Sequence, residues 1–299
     1  MQTIEKEILA HLPLNGQARR MFHGRGRTLP GYQDLLIDSY GSLVWVTLFA
    51  DRPSTWLMQL CQLLRTVQPD AECIAVQRRD LPQAPINILY GELPTQPQAL
   101  EADLCYLLQL QKGQNIGFFI DMAAGRALVR RLAAGKKILN LFAYSCSFSV
   151  AALKAGAISV VNVDMNRGAL ELGRLNHLHN QCDMRSATFL PLEIFRSLSR
   201  LKKIGPFDLI ICDPPFSQGR SFTAESHWPK LVARLEGLLT PEGEVIACLN
   251  APHMSAPDLR EIFTKQLPFV REQSCFGAGE DFPEADLARG LSIQHFVRV

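Results

Sequence analysis

The sequence has no long apolar run, no close pair of cysteines and almost no net charge, and each absence removes a class of protein. The longest apolar run, "SLVWVTLFA" at 42–50, ends at Asp51. It is about half of the roughly 20 residues a bilayer helix needs, so no membrane span is expected. The eight cysteines (Cys61, Cys73, Cys105, Cys146, Cys182, Cys212, Cys248 and Cys275) are never closer than twelve residues apart. That spacing leaves no zinc knuckle, no CxxC redox pair and no metal site to draw from neighbouring positions. With no signal peptide, it reads as reduced thiols in a cytoplasmic protein. The formal net charge of +2, with 20% charged residues, does not announce a nucleic-acid partner, so local clusters have to be asked instead. What the chain does have is length and apolar content. Its 299 residues, 47% of them hydrophobic, can bury a large core.

From residue 136 onward, apolar runs of strand length alternate with helix-like segments, the pattern of an α/β sheet with crossover helices. Strands are expected at 136–142, 157–165, 186–192, 207–213, 243–250, 269–277 and 291–299. Helices are expected near 147–155, 166–180, 193–203, 221–238 and 255–266. The last two strands are separated only by the polar "AGEDFPEADLARG" at 278–290, which reads as a long hairpin loop. The result is a Rossmann-like seven-stranded sheet whose last strand is antiparallel, unlike the fully parallel sheet of a dinucleotide dehydrogenase. The first hundred residues read as a small α+β module. It has a hairpin joined at "SYGS", a further strand in "ECIAVQRRD" and a helix in "RPSTWLMQLCQLLRTV". Pro94 and Pro97 mark a linker, which gives domains at 1–98 and 99–299.

The stretch "LNLFAYSCSFSVAALKAGAISVVNVDM" at 139–165 has the form of a nucleotide-binding strand-turn-helix-strand unit, but its turn carries Ser145-Cys146-Ser147 in place of glycines. Glycines let a backbone approach a pyrophosphate, and three side chains would obstruct one. S-adenosylmethionine has an amino-acid tail and a sulfonium where a dinucleotide has phosphates, so it fits such a loop better. Asp164 ends the second strand about twenty residues after the loop, the spacing at which a carboxylate receives ribose hydroxyls. The alternative is that it caps the helix starting near Asn166. Glu193 could accept from the adenine amine or serve as a first-turn helix acid. Phe142 and Phe148 read as core.

"FDLIICDPPF" at 207–216 is a buried strand ending in Asp213-Pro214-Pro215-Phe216. Two prolines stiffen the chain as it leaves the sheet. An amino nitrogen conjugated to a base or amide is a poor nucleophile. If the Asp213 carboxylate and the Pro214 carbonyl accept its hydrogens, its lone pair can face a methyl donor. Phe216 would stack on the flat substrate. A plain strand-ending turn is the structural alternative.

These motifs together resemble the class I S-adenosylmethionine-dependent methyltransferases. The likeness is closest to the bacterial large-subunit ribosomal RNA methyltransferase family, whose members share signatures like "QxxGFFxDxR", "NLFxYTxxFS" and "DPP". Here they stand as "QNIGFFIDM" at 114–122, "NLFAYSCSFS" at 140–149 and "DPPF", and "FHGRGRTLPGYQDLLIDSYGS" at 22–42 is similar to the family's small central domain. The resemblance implies that Phe118, Asp121 and Arg126 line the methionine end of the cofactor, Tyr144 and Ser145 its loop, and Asp164 its ribose. Asn140, Ser147, Met165, Glu193 and Asp213 complete the expected cofactor-binding set. Met122 stands where the family usually has arginine. The N-terminal RNA-binding module of many relatives is not in this sequence, so substrate capture is expected to rest on the remainder.

Formation of 5-methylcytosine requires a cysteine thiolate. Relatives of that specificity place it in an "SCS"-like segment, where "ACLNAPHMS" here has Asn250, with Cys248 two residues earlier and buried. Methylation of a base nitrogen in ribosomal RNA is therefore expected over carbon. Weak support for RNA comes from the basic residues Arg126, Arg130, Arg131, Lys136, Lys137 and Lys154, and from "ARRMFHGRGR" at 18–27. Arg196, Arg200 and Lys203 add a helical stripe. A protein amide or small molecule as acceptor, a non-catalytic RNA-binding module that retains the fold, and a homodimer all stay open.

Overall fold

The computed structural model describes residues 1–111, 113–219 and 221–299. It divides into two compact units, Met1–Ile120 with Gly279–Ala285, and Asp121–Ala278 with Asp286–Val299.

The first unit runs α1 (Gln2–Ala10), β1 (Arg19–His23), β2 (Leu35–Tyr40), β3 (Leu43–Leu48), α2 (Ser54–Val67), β4 (Cys73–Arg78) and β5 (Ile86–Gly91), then a hairpin of β6 (Gln98–Glu101) and β7 (Leu104–Leu107). Strands β1 to β5 form one sheet in chain order, antiparallel except where α2 crosses over between β3 and β4. Alternate residues Leu35, Ile37, Val44, Val46, Ile74 and Val76 pack against Ile4 and Ile8 of α1 and Leu60 and Leu64 of α2. On the other side of β4, the Gln77 amide donates to the carbonyls of Gly113 and Gln114 at 3.2 Å, and Arg79 donates to the Gln114 carbonyl and to Asn115. The "QNIGFF" signature is thereby tied to the end of a strand. The boundary expected at 98/99 falls within β6.

Segment Gly279–Ala285, expected as a hairpin loop of the larger sheet, belongs to this unit. Asp281 accepts both guanidinium bonds of Arg19 at 2.7 and 2.9 Å, and the Ala285 N–H donates to the Gly26 carbonyl at 2.7 Å. Only glycine fits at 26, where a Cβ would stand 1.7 Å from the Pro283 carbonyl oxygen.

The second unit holds α3 (Ala123–Leu132), β8 (Lys137–Leu141), α4 (Ser147–Lys154), β9 (Ser159–Val163), α5 (Arg167–His179), β10 (Ala187–Leu190), α6 (Ile194–Ile204) and β11 (Phe207–Cys212). A small hairpin of β12 (Ser217–Gln218) and β13 (Phe222–Thr223) follows, then α7 (Ala224–Leu235), β14 (Leu239–Leu249), α8 (Ala256–Gln266), β15 (Val270–Phe276) and β16 (Ser292–Arg298). The seven-stranded sheet has the order β10-β9-β8-β11-β14-β16-β15, parallel from β10 through β14, with β16 antiparallel to both neighbours. All seven expected strands and all five expected helices are present, and the last strand is antiparallel as anticipated. Helix α3 was not anticipated, because Arg126 interrupts its apolar stripe and is itself fully buried.

Both faces of the sheet are covered. Leu139, Leu141, Val161, Val163 and Val245 point toward Trp228, Leu231, Phe263 and Phe296 in one layer. Ile138, Val160, Leu209, Ile211 and Ile246 point the other way, toward Leu128 and Val129 of α3 and Phe148 of α4. No helix among the described residues is long and apolar enough to cross a membrane, and the eight cysteines are free thiols. The Phe263 and Phe296 rings stack with centroids 3.7 Å apart, both essentially buried. Phe296→Ala should lower the unfolding free energy by about 3–5 kcal/mol in urea titration, since it deletes a fully packed ring.

Candidate cofactor and methyl-transfer site

Strand order reverses between β8 and β11, which lie side by side with Leu141 opposite Cys212. The chain leaves β8 at Phe142 and β11 at Asp213, so the glycine-free loop and the Asp-Pro-Pro-Phe segment emerge one strand spacing apart. This is the switch point, where an open α/β sheet leaves a crevice beyond its carboxyl ends.

Three non-glycine residues of the loop are left-handed: Phe142 at φ +57°, Tyr144 at +44° and Cys146 at +60°. A side chain in that region costs about 1 kcal/mol or more per residue. The backbone has thus taken a shape that glycines would adopt freely, and it is held there from outside. Ala143 N–H donates to the Val163 carbonyl at 3.1 Å, Tyr144 N–H to Asp164 Oδ2 at 2.9 Å, and Cys146 N–H to the Ala143 carbonyl at 2.7 Å. Cys146 is fully buried, and Ser145 nearly so.

Asp164 is 8% exposed and accepts from Tyr144 through one oxygen and from the Asn166 N–H through the other, at 2.8 Å. It is not the cap of α5. That role falls to Asn166, whose side chain accepts from the Ala169 N–H. Each Asp164 oxygen keeps a second lone pair for a hydroxyl donor. Burial raises its pKa, opposed by the two backbone N–H groups. Beside it, Phe142, Met165, Leu192, Ile194, Phe195 and Phe222 line a narrow cleft. Glu193 also lines the cleft, and its carboxylate caps α6 by accepting from the Phe195 and Arg196 N–H groups at 3.0 and 2.9 Å. Leu192, Ile194, Phe195 and Phe222 were not foreseen, being ordinary apolar residues in sequence, and Phe142, read as core, lines the cleft as well.

The second charged group of the site is formed by Asp121, Arg126 and Asp213. Burial pushes the Asp213 pKa up to about 7, the Asp121 charge adds to the rise, and Arg126 opposes it. Pro214 is buried, while Pro215 and Phe216 face solvent, Phe216 with 56% of its surface exposed. Ser147 opens α4. Asn140 is buried within the sheet, where its amide donates to Asn162 Oδ1 at 2.9 Å, away from the cleft wall. Phe118 is buried in the first unit, stacked on Tyr106 with centroids 4.8 Å apart.

S-adenosylmethionine carries a sulfonium, an ammonium and a carboxylate, a net charge of +1. Two acids and one arginine match those three charges in sign, the Asp164 carboxylate has lone pairs left for ribose hydroxyls, and the cleft beside it offers a mostly apolar wall to a flat ring. The residues present therefore fit that molecule.

The family described as S-adenosylmethionine-dependent methyltransferase matches residues 19–297. The chain is 31% identical over 194 residues to the ribosomal RNA large subunit methyltransferase I of Aeromonas salmonicida, covering 62% of this chain and 48% of that one. It is 29% identical over 233 residues to the Shewanella amazonensis protein of the same name, covering 72% and 58%. The chain thus spans about half the length of the curated relatives it matches. Among solved structures, a methyltransferase complexed with SAH superposes with TM-score 0.86 at 24% identity, over 99% of this chain and 81% of that one, as does a Streptococcus mutans SAM-dependent methyltransferase. The Agrobacterium tumefaciens SAM-dependent methyltransferase gives 0.68 at 17% identity, over 89% and 87%. The sheet order and the match over residues 19–297 place this chain in the S-adenosylmethionine-dependent methyltransferase family.

The raised pKa of Asp213 has a measurable consequence. Below about 7 its carboxyl is protonated and offers no charge to a cationic ligand; above that value it is an anion. Affinity for S-adenosylmethionine should therefore fall as pH drops below about 7, by up to about tenfold per unit, and level off above it. Calorimetric titration from pH 5.5 to 8.5 checks this, and Asp213→Asn should flatten the dependence.

Proposed function

We propose that the chain transfers a methyl group from S-adenosylmethionine to a base nitrogen of RNA, with ribosomal RNA the expected substrate. The observation that carries this reading is the placement of Asp213-Pro214-Pro215-Phe216 at the switch point with, among the described residues, no accessible thiol beside it. Bound S-adenosylmethionine supplies an electrophilic methyl group; the rest falls to this chain. Asp213 and the Pro214 carbonyl accept the hydrogens of the substrate amino group and turn its lone pair toward the donor. A carboxylate with pKa near 7 can also take the proton released on methylation. The exposed Phe216 ring offers a stacking surface for an unstacked base.

Nitrogen is favoured over carbon because the cysteines nearest Asp213 are sealed, while the exposed Cys275 stands three strands across the sheet in β15. Cys146, Cys212 and Cys248 are fully buried, and burial followed by the nearby Asp213 charge holds the Cys248 thiol well above the usual range. Cys248 sits inside β14 opposite Ile293, where it cannot reach a base.

RNA is favoured by the names of the matched relatives and by a redistribution of the basic residues. Several of those expected at phosphates have structural tasks. Arg19 pairs with Asp281, Arg20 with Asp38 and Lys136 with Glu244; Lys137 donates to the Ile204 carbonyl, and Arg126 is buried. Among the described residues, exposed cations without an ion pair include Arg131 and Lys154 of the expected cluster, Arg25 and Arg27 of the first unit, and Arg196, Arg200 and Lys203 along α6 of the second. These can meet phosphates without giving up a carboxylate partner.

Incubating the protein with methyl-labelled cofactor and either total RNA or total protein from a strain lacking the gene tests the reading. Label is expected in RNA, recovered as an N-methylated nucleoside; label in protein alone, or as a C-methylated pyrimidine, counts against it. Asp213→Ala should lower turnover by about a hundredfold or more at saturating cofactor, a loss beyond whatever it costs in cofactor affinity.

A further inference from the structure

The left-handed loop between β8 and α4 lies against one face of α5, and that face touches the loop in two places and α4 in a third. A Cβ on Gly173 would stand 2.4 Å from Cys146 Sγ and 2.9 Å from its Cβ, so the absence of a side chain at 173 leaves the room that Cys146 occupies. One turn on, Asn176 Nδ2 donates to the Ser145 carbonyl at 3.0 Å, between the left-handed residues 144 and 146. At the next position, the His177 ring reaches the helix into which the loop runs. Its Nδ1 donates to the Gly173 carbonyl at 2.7 Å, so the neutral ring has Nε2 free to accept from the Ser149 hydroxyl at 2.8 Å. Ser149 Oγ in turn accepts from Asn162 at 3.0 Å, and Asn162 from Asn140 at 2.9 Å. The line of bonds therefore runs from α5 through α4 into β9 and β8, the two strands whose ends carry Asp164 and the loop. Ser149, Asn162, Asn176 and His177 are 0% exposed and Asn140 is 1% exposed.

Residues 173, 176 and 177 are spaced i, i+3 and i+4, one stripe of a helix. Such a stripe normally carries apolar residues toward a core; here it carries a glycine and an asparagine matched to the loop and a histidine matched to the helix that follows it. From this we infer that α5 is the template that fixes the cofactor loop, with Gly173, Asn176 and His177 as positioning residues for S-adenosylmethionine. The inference rests on the family's cofactor binding at this crest. None of the three lines the cleft. They act by keeping Tyr144 and Cys146 in conformations their own side chains oppose, and so keep the loop's backbone in the shape the cofactor meets.

The test measures affinity of the purified full chain for S-adenosylmethionine by calorimetry, with circular dichroism reporting folding. Gly173→Ala should weaken binding by about tenfold or more, because its methyl group displaces Cys146. Adding Cys146→Gly removes the displaced atoms and supplies a residue at ease with positive φ, so the double variant should return to within about threefold of Cys146→Gly alone. Asn176→Leu, similar in size but unable to donate, should weaken binding by about fivefold. Wild-type affinity in Gly173→Ala, or a loss that Cys146→Gly does not repair, overturns the inference. Should Gly173→Ala fail to fold, Asn176→Leu decides, and unchanged affinity there counts against the template. A wild-type chain that binds no S-adenosylmethionine sinks the cofactor reading and this inference together; normal wild-type binding with indifferent variants sinks this inference alone.

Discussion

The site depends on one constraint, the burial of a strained turn. Phe142, Tyr144 and Cys146 hold backbone angles that cost energy locally, and they persist because the Tyr144 N–H has the Asp164 carboxylate to meet and Cys146 is enclosed. The same carboxylate that is proposed to meet a ribose thus also closes the loop onto the neighbouring strand. Shape and binding chemistry at this end of the sheet are one interaction.

A second layer of organisation is electrostatic. Bringing Asp121 and Asp213 into one poorly solvated place with only Arg126 to balance them is unfavourable, and the Asp213 pKa near 7 is the sign of that tension. A cationic ligand relieves it. On the proposed reading, binding of a donor carrying a sulfonium and ionisation of Asp213 therefore favour each other. The prolines that follow keep Asp213 from relaxing away.

Periodicity carried far in the larger unit. The strands from 136 onward could be located because buried parallel strands read as apolar runs, and the polar segment before the last strand announced a hairpin. Legibility failed where polar residues are used inside. Helix α3 escaped notice because a fully buried arginine interrupts its stripe, and the α5 face escaped because Asn176 and His177 look like surface residues in a list of letters. The basic clusters misled in the opposite sense. Arg19, Arg20 and Lys136 looked available for phosphate, yet each meets a carboxylate far away in sequence, at Asp281, Asp38 and Glu244.

The sequence alone determined the order of the strands from 136 onward, the antiparallel last strand, the glycine-free loop and the carboxylates expected around it, because these follow from hydrophobic period and local residue chemistry. Only the tertiary structure decided which residues of the loop turn left-handed, which charges are paired, and which carboxyl is held near neutrality. Those outcomes depend on partners tens or hundreds of residues away, and on how much water is left between them once the chain has closed.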